Sequence, residues 1–548
     1  MSATTEQRAG TGSASGLREW QRRALAEMEA WSDGSFLISA APGAGKTRPA
    51  LEFAKRELQR RAVHGVVIAC PTAPLTRQWA RAAHQLGLEL LPDADSPRPP
   101  SGFHGVVVTY ARIANSSRRW AAGTRERTLV IADEAHHLGE ELAWGESFAA
   151  AFMQASRWLL LSGTPFRSDA APIPGVEYDA NGLAEPHVSY SYAEAVCDGV
   201  CRPVVFVTYD GTLSWRSGDD VIESSFDAVL SSREASRRYR TAISTELPDG
   251  LPRILGEAHV RLQALRSGTH PEAGGLVIAA DSEHARKVAA QLRAVAGRAP
   301  AVVLHQDAKA AQKLAAFTHS GEPWIVAVNM VSEGVDIPRL RVGVYATAAK
   351  TPLIFRQIVG RFVRTISGRA PEPSWLYIPA DTILRDHAAN VETELRYMVR
   401  RGTDQELGEI EELGRPKSER GEVLDFEPLS ADVAAQMSLF GPALAASAAT
   451  VSRRTVPAAP VAAVPLPSAV QPPTPTDSEL PAFERRAQLR AKRHRLVADL
   501  ARDLRSSHKE VNAQVNRTLG IDSVDKATIE QLQSSIEWLD QRLYGSKR

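Results

Sequence analysis

The run Ala40-Ala41-Pro42-Gly43-Ala44-Gly45-Lys46-Thr47 follows the short apolar stretch Phe36-Leu37-Ile38. Glycines at 43 and 45 let backbone N–H groups curl around phosphate oxygens, and Lys46 brings a cation to them. Thr47 offers a hydroxyl to a divalent cation, and a helix starting there adds its dipole. The first glycine of the strict phosphate-loop pattern is replaced by Ala40. About 90 residues on, the apolar run Leu129-Val130-Ile131-Ala132 ends in Asp133-Glu134-Ala135-His136. Adjacent carboxylates at a strand end suit a metal-holding acid, Asp133, beside a water-orienting base, Glu134. Either signal alone also reads blandly, as a glycine-rich turn or as two solvated acids. Their order and spacing argue for a nucleotide site binding Mg²⁺.

Elements that alternate strand and helix are needed to hold these groups. Apolar runs at 36–38, 66–68, 106–108, 129–131 and 159–161 alternate with helical stretches, and a second series follows at 204–206, 276–278, 302–304, 325–327 and 342–344. That alternation predicts parallel sheets covered by helices. The expected organisation is a tail over 1–16, one α/β domain over 17–192, a second over 193–400, a linker over 401–480 and a helical module over 481–548. A polar, helical stretch is expected over 219–266. Seven prolines between Pro457 and Pro475 mark the linker as unable to form helix or sheet. In the last module Leu489, Leu496, Leu500 and Leu504 share one helical face. Val511, Val515 and Leu519 share a second, with Gly520 as a C-cap. Ile529, Leu532, Ile536, Leu539 and Leu543 share a third, opened by a Thr528/Gln531 capping box. So small a bundle is expected to dock on a partner or on the main body.

The chain has 548 residues, 43% hydrophobic and 24% charged, which excludes global disorder. It shows no apolar run of about 18 residues and no secretory h-region, so neither a membrane span nor a signal peptide is expected. Three cysteines exclude a disulfide scaffold and fit a reducing cytoplasm. Lys+Arg 65 against Asp+Glu 64 leaves a formal charge of +1, so nucleic-acid binding has to come from local patches. The densest is Arg485, Arg486, Arg490, Lys492, Arg493 and Arg495, which reads equally as a phosphate-binding face or a solvated one. Cys197 and Cys201 form at most half a metal site, and they read as plain thiols. Asp307-Ala308-Lys309 resembles half of a nuclease motif without an upstream acid, so any nuclease or repair activity belongs to a separate partner.

With Asp-Glu-Ala-His behind this loop, the chain resembles superfamily-2 helicases of the DEAH-box type. Other motifs fall in order over about 350 residues. Leu17-Arg18-Glu19-Trp20-Gln21 resembles the glutamine motif, Pro71-Thr72 through Gln78-Trp79 motif Ia, and Thr109-Tyr110 motif Ib. Ser162-Gly163-Thr164-Pro165 resembles motif III, and Gly275 onward sits where motif IV would. Ser332-Glu333-Gly334-Val335-Asp336 resembles motif V, and Gln357-Ile358-Val359-Gly360-Arg361-Phe362-Val363-Arg364 motif VI. The resemblance implies two RecA-like domains using ATP and Mg²⁺. It assigns Gln21, Pro42, Gly43, Ala44, Gly45, Lys46, Thr47, His136, Gly334, Asp336 and Gln357 to the nucleotide. Thr47 and Asp133 go to the metal, and Pro71, Thr72, Thr109 and Ser332 to nucleic acid. Arg361 and Arg364 are its catalytic arginines, with Arg364 the expected arginine finger. Their i, i+3 spacing also fits two arginines on one helix face. Motif III as Ser-Gly-Thr-Pro-Phe-Arg and motif VI beginning with Gln resemble XPB-type repair helicases and the motor subunits of type I and III restriction systems. DNA is therefore the expected track, with RNA or an ATP-gated binding switch as alternatives. In the linker, Gln436-Met437-Ser438-Leu439-Phe440 resembles the peptide by which bacterial proteins bind the sliding clamp. Leu439 and Phe440 would fill an apolar pocket and Gln436 would bond at its rim; the alternative is an apolar patch that docks back on the motor.

Overall fold

The computed structural model describes residues 16–140, 142–163, 172–179, 184–217, 220–304, 307, 309–328, 337–366, 369, 372–401, 427–437, 480–525 and 527–544. Among them are two sheets. The first contains β1 (Gly34–Ala40), β2 (Gly65–Cys70), β3 (Leu90–Pro92), β4 (Gly105–Thr109), β5 (Thr128–Asp133), β6 (Arg157–Ser162) and β7 (Val188–Tyr190). Their order is β3-β4-β2-β5-β6-β1-β7. The pairings β3/β4, β4/β2, β2/β5 and β5/β6 are parallel. Alternate residues point to one face, so Val67, Ala69, Val106, Val108, Val130, Ala132 and Leu160 share a core with Trp120, Phe148 and Phe152. These strands read as near-continuous apolar runs because helices cover the sheet.

The second sheet contains β8 (Val204–Ser217), β9 (Asp220–Ser224), β10 (Gly274–Ala279), β11 (Ala301–Val303), β12 (Trp324–Ala327), β13 (Leu340–Ala346), β14 (Ser374–Pro379) and β15 (Glu427–Met437). Its order is β11-β12-β10-β13-β14-β8-β15, with β9 beside β8. The pairings from β11 through β8 are parallel, whereas β9 and β15 pair antiparallel with β8. The fold is α/β with two mostly parallel sheets of RecA-like type.

By packing, the chain divides into two compact units. One holds Leu17–Ile38, Lys46–Val188 and the C-terminal helices; the other holds Ser39–Gly45 and the chain from Ser189 through β15.

Three expectations need correction. The linker over 401–480 contains a strand. Ala431 and Val433 of β15 are buried with Asp432 exposed between them, and Gln436 and Met437 pair with Thr208 and Val207. The stretch forms a strand because the edge of β8 supplies the hydrogen bonds that its own alanine-rich sequence does not demand. The stretch 219–266 opens with β9 before its helices Ser232–Ala242 and Leu251–Ser267. Leu504 leaves the apolar face: it is the C-cap of its helix and 51% exposed.

The C-terminal helices are Ala482–Asp503, His508–Thr518 and Ile529–Tyr544. Leu496, Val497, Leu500, Val511, Val515, Ile536 and Leu539 make their core. Gln531 Oε1 accepts the Thr528 N–H at 2.9 Å and Thr528 Oγ1 accepts the Gln531 N–H at 3.2 Å, closing the capping box. Gly520 takes a left-handed φ of 62°. The module docks within its own unit, where Glu89 Oε2 accepts the Ala482 N–H at 2.9 Å and Arg81 Nε donates to Glu484 Oε1 at 2.7 Å. Half of the basic cluster is spent inside the module. Arg486 donates to the carbonyls of Ala527 and Asp525, Arg490 to Val524 O, and Arg493 to Asn512 and Asn516. Those guanidinium groups cement the bundle and do not form a phosphate-binding face.

Candidate nucleotide site

The phosphate loop leaves β1 and ends where Thr47 opens the helix Thr47–Gln59, with Lys46 as N-cap. Gly43 and Gly45 have φ of 81° and 89°, which L side chains rarely adopt. A Cβ on Gly43 would stand 3.3 Å from Arg364 Cγ and 3.8 Å from Cys201 Sγ, all three residues lying in the same unit. Pro42 and Gly360 approach more closely still, since a Cβ on Gly360 would lie 2.6 Å from Pro42 Cβ.

Arg361 lies in the last turn of the helix Pro352–Phe362 and is 9% exposed; Gln357 lies one turn earlier on it. Arg364 is not on that helix. It forms an antiparallel bridge with Cys201, and the Arg202 N–H donates to Val363 O at 2.7 Å. The shared helix face expected from their spacing is therefore absent, because the helix stops at Phe362.

In the other unit, β5 carries Asp133 and the turn after it carries Glu134 and His136. Lys46 Nζ stands 3.8 Å from Glu134 Oε1, the lysine buried and the glutamate half-buried. His136 Nδ1 lies 3.5 Å from Glu134 Oε2 and 2.8 Å from Ser162 Oγ at the end of β6. Glu134 holds a left-handed φ of 51°, a strained conformation for a residue with a Cβ. The two carboxylates are held apart electrostatically. Burial, then the charge of Glu134, pushes Asp133 up to about 6. Burial works in the same direction on Glu134, but Lys46, His136, His137 and the Gly163 N–H together hold its carboxyl well below its ordinary value.

Sequence reading passed over two residues that contact Asp133. Trp79 Nε1 donates to Asp133 Oδ2 at 2.7 Å, and Tyr110 OH donates to the Asp133 carbonyl at 2.7 Å. Their signal is positional, since Trp79 closes the stretch resembling motif Ia and Tyr110 the one resembling motif Ib. Pro71 and Thr72 precede the helix Ala73–His84, with Thr72 its N-cap. Thr109 caps the helix Tyr110–Ala114 by accepting the Arg112 N–H. Gln21 is buried, and its Oε1 accepts the Arg18 N–H at 2.9 Å. Ser332, Gly334, Asp336, Leu439 and Phe440, with Thr164 and Pro165 of motif III, lie outside the described residues, as does the side chain of Gln436. No cluster of three or more His, Cys, Asp or Glu suited to a metal occurs among the described residues, Cys197 and Cys201 included. No helix among them is long and apolar enough to cross a membrane.

The residues present fit Mg²⁺ and nucleoside triphosphate. The loop glycines take left-handed backbone conformations, a buried lysine follows them, and Asp133 is a buried carboxylate anchored by Trp79. Lys46, Thr47 and Asp133 are the groups that would hold the pair.

Residues 15–167 match the family described as type III restriction enzyme, res subunit. The chain is 42% identical over 407 residues to an uncharacterized protein of Mycobacterium leprae, covering 72% of this chain and 67% of that one. It is 42% identical over 393 residues to one of Mycobacterium tuberculosis, covering 70% and 65%. The match thus spans about two thirds of these relatives. Among solved structures, the chain resembles the type ISP restriction–modification enzyme LlaBIII bound to DNA, at TM-score 0.46 and 15% identity over 69% of this chain and 30% of that one. It also resembles an HsdR-subunit fragment of a type I restriction enzyme from Vibrio vulnificus, at TM-score 0.48 and 16% identity over 67% and 64%. A third is S. cerevisiae Dbp5 bound to RNA and ADP BeF3, at 0.45 and 13% over 69% and 87%. The chain belongs to the family of these mycobacterial relatives, and its residues 15–167, which carry the phosphate loop and the paired acids, form a superfamily-2 helicase-like domain of the type III restriction res-subunit kind.

Proposed function

We propose that this protein is a DNA-dependent ATPase of the DEAH type that moves on or remodels DNA. The observation that carries the reading is the juxtaposition of Lys46 with Glu134, 3.8 Å apart, beside a buried Asp133. Lys46 neutralises phosphate charge, and Glu134, ionised and strained into position, orients and deprotonates the attacking water. Bound Mg²⁺ would supply Lewis-acid stabilisation of the phosphate oxygens. Arg361 and Arg364 are the proposed transition-state cations, with Arg364 the finger; its stem against Gly43 supports that assignment. Gln21 is proposed for the adenine edge, and Gln357, Gly334 and Asp336 for the nucleotide. Pro71, Thr72, Thr109 and Ser332 are proposed to grip nucleic-acid phosphates, contacts that carry no sequence information.

DNA is favoured over RNA by motif III and motif VI and by the restriction-subunit family matched by residues 15–167. Through Gln436, Leu439 and Phe440 the protein is further proposed to bind a sliding clamp, and any nuclease or repair step would come from a separate partner. The test is ATPase rate without nucleic acid and with single-stranded, duplex or forked DNA or RNA, with Lys46→Ala as control. Stimulation by one form of DNA is expected. Stimulation by RNA alone overturns the DNA assignment, and Lys46-dependent turnover that nothing stimulates favours an ATP switch.

A further inference from the structure

Two helices begin at the proposed nucleic-acid contacts, and both reach Asp133. From Thr72, the N-cap of Ala73–His84, two helical turns (about 10 Å) lead to Trp79. That indole is 2% exposed, and its N–H donates to the Asp133 carboxylate at 2.7 Å. From Thr109, the N-cap of the short helix Tyr110–Ala114, the next residue is Tyr110. It is 1% exposed, and its hydroxyl donates to the Asp133 carbonyl at 2.7 Å. The tryptophan thus fixes the carboxylate rotamer, and the tyrosine fixes the backbone that carries it. Trp79 can donate only one hydrogen bond, and it gives that bond to Oδ2. Both bonds are buried, where a charge-assisted bond to a carboxylate is stronger than a neutral one.

We infer that Trp79 and Tyr110 are positioning residues through which nucleic acid at the Pro71-Thr72 and Thr109 ends sets the metal-binding geometry of Asp133. The inference rests on the ATPase reading above. A shift of the helix Ala73–His84, or of the turn at Thr109-Tyr110, moves a donor of Asp133 with it. The role assigned to each is to act through Asp133, by the one hydrogen bond it gives there. The link runs through packed helices and two hydrogen bonds and needs no contact with the rest of the chain.

The test compares wild type with Trp79→Phe and Tyr110→Phe, which keep an aromatic ring and remove the donor. The first readout is equilibrium binding of a fluorescent ATP analogue in Mg²⁺ and in EDTA. The second is the ratio of DNA-stimulated to unstimulated ATPase. For Trp79→Phe the Mg²⁺ concentration giving half-maximal tightening is expected to rise about tenfold, and the stimulation ratio to fall about fivefold. Tyr110→Phe should change both in the same direction and less. Wild-type values of both readouts in folded Trp79→Phe overturn the inference. So does an equal loss of affinity in Mg²⁺ and EDTA, which marks a merely structural role. If wild type shows no Lys46-dependent hydrolysis, the ATPase reading fails, while the Mg²⁺-linked binding of the analogue still decides whether Trp79 sets Asp133.

Discussion

His136 Nδ1 and Ser162 Oγ lie 2.8 Å apart and join the turn after β5 to the end of β6. Both are buried, and the same imidazole nitrogen stands 3.5 Å from Glu134 Oε2. The serine therefore orients the ring that faces the proposed base. Ser162→Ala removes this buried bond and should lower unfolding stability by about 1–2 kcal/mol. ATP turnover should fall about tenfold as the ring and Glu134 lose their fixed geometry. Chemical denaturation and steady-state ATPase assays measure the two effects separately.

Glu134→Gln preserves shape and removes the base. Turnover should fall by about 10²–10⁴-fold, the range for a positioned general base. Nucleotide binding should survive, because Lys46 and the loop glycines are untouched. A variant that binds a fluorescent ATP analogue like wild type but hydrolyses almost none supports the assignment. A variant that hydrolyses at the wild-type rate removes Glu134 from the chemistry.

Acid should weaken the metal site before it unfolds the protein. Burial and Glu134 raise Asp133 to about 6, so its carboxyl keeps a proton in the folded state between its ordinary value and that pH. That contribution to stability is full below the unfolded value of about 4 and is lost as pH rises through about 6. A metal ion competes with the same proton, so Mg²⁺-linked nucleotide affinity should drop as pH falls below about 6. Glu134, held low, contributes stability above its ordinary value that is lost only in stronger acid. Analogue binding in Mg²⁺ across pH 5 to 8 checks this, with the same series in EDTA expected to be flatter.

The glycine loop has a sharper requirement. Gly43 sits at φ 81°, and a Cβ there meets Arg364 Cγ at 3.3 Å. Gly43→Ala should destabilise the fold by about 1–2 kcal/mol from the left-handed backbone alone. The arginine stem must also give way, so the nucleotide affinity of the variant should fall. Thermal unfolding with and without nucleotide measures both losses.

The strands that carry the site were legible because buried parallel strands must be apolar throughout, as Val66-Val67-Ile68 and Leu129-Val130-Ile131 are. The phosphate loop and the acids were legible because few residue types perform their chemistry. What stayed hidden depends on three-dimensional proximity. Trp79 and Tyr110 stand in the sequence only as the ends of the stretches resembling motifs Ia and Ib, and only the fold shows that their polar atoms converge on Asp133. The i, i+3 spacing of Arg361 and Arg364 suggested one helix face, but a bridge to Cys201 takes over from the helix at Arg364. Arg486, Arg490 and Arg493 looked like a solvent-facing basic patch, yet carbonyls and amides from the neighbouring loop and helix consume them. Local sequence gives charge and periodicity; it does not give the partner.

β15 is held to the second sheet by what β8 offers, and a single side chain should test that. Val433 is fully buried, and its N–H donates to the Asp249 carbonyl at 3.1 Å. Val433→Asp places an unpaired carboxylate in that position. A buried group without a partner is costly, so the loss should exceed about 3 kcal/mol unless the strand lets go. If β15 detaches, the cost is instead the loss of its ladder and of the contacts made by Ala431. Amide hydrogen exchange separates the two outcomes. Detachment removes protection from β15 and from the outward amides of β8 while leaving β13 and β14 protected. The control is Asp432→Asn, at an 82% exposed side chain whose ion pair with Arg253 is a surface one. It should stay within about 1 kcal/mol of wild type. Equal stability of Val433→Asp and wild type, with β15 still protected, would show that this strand is not seated as described.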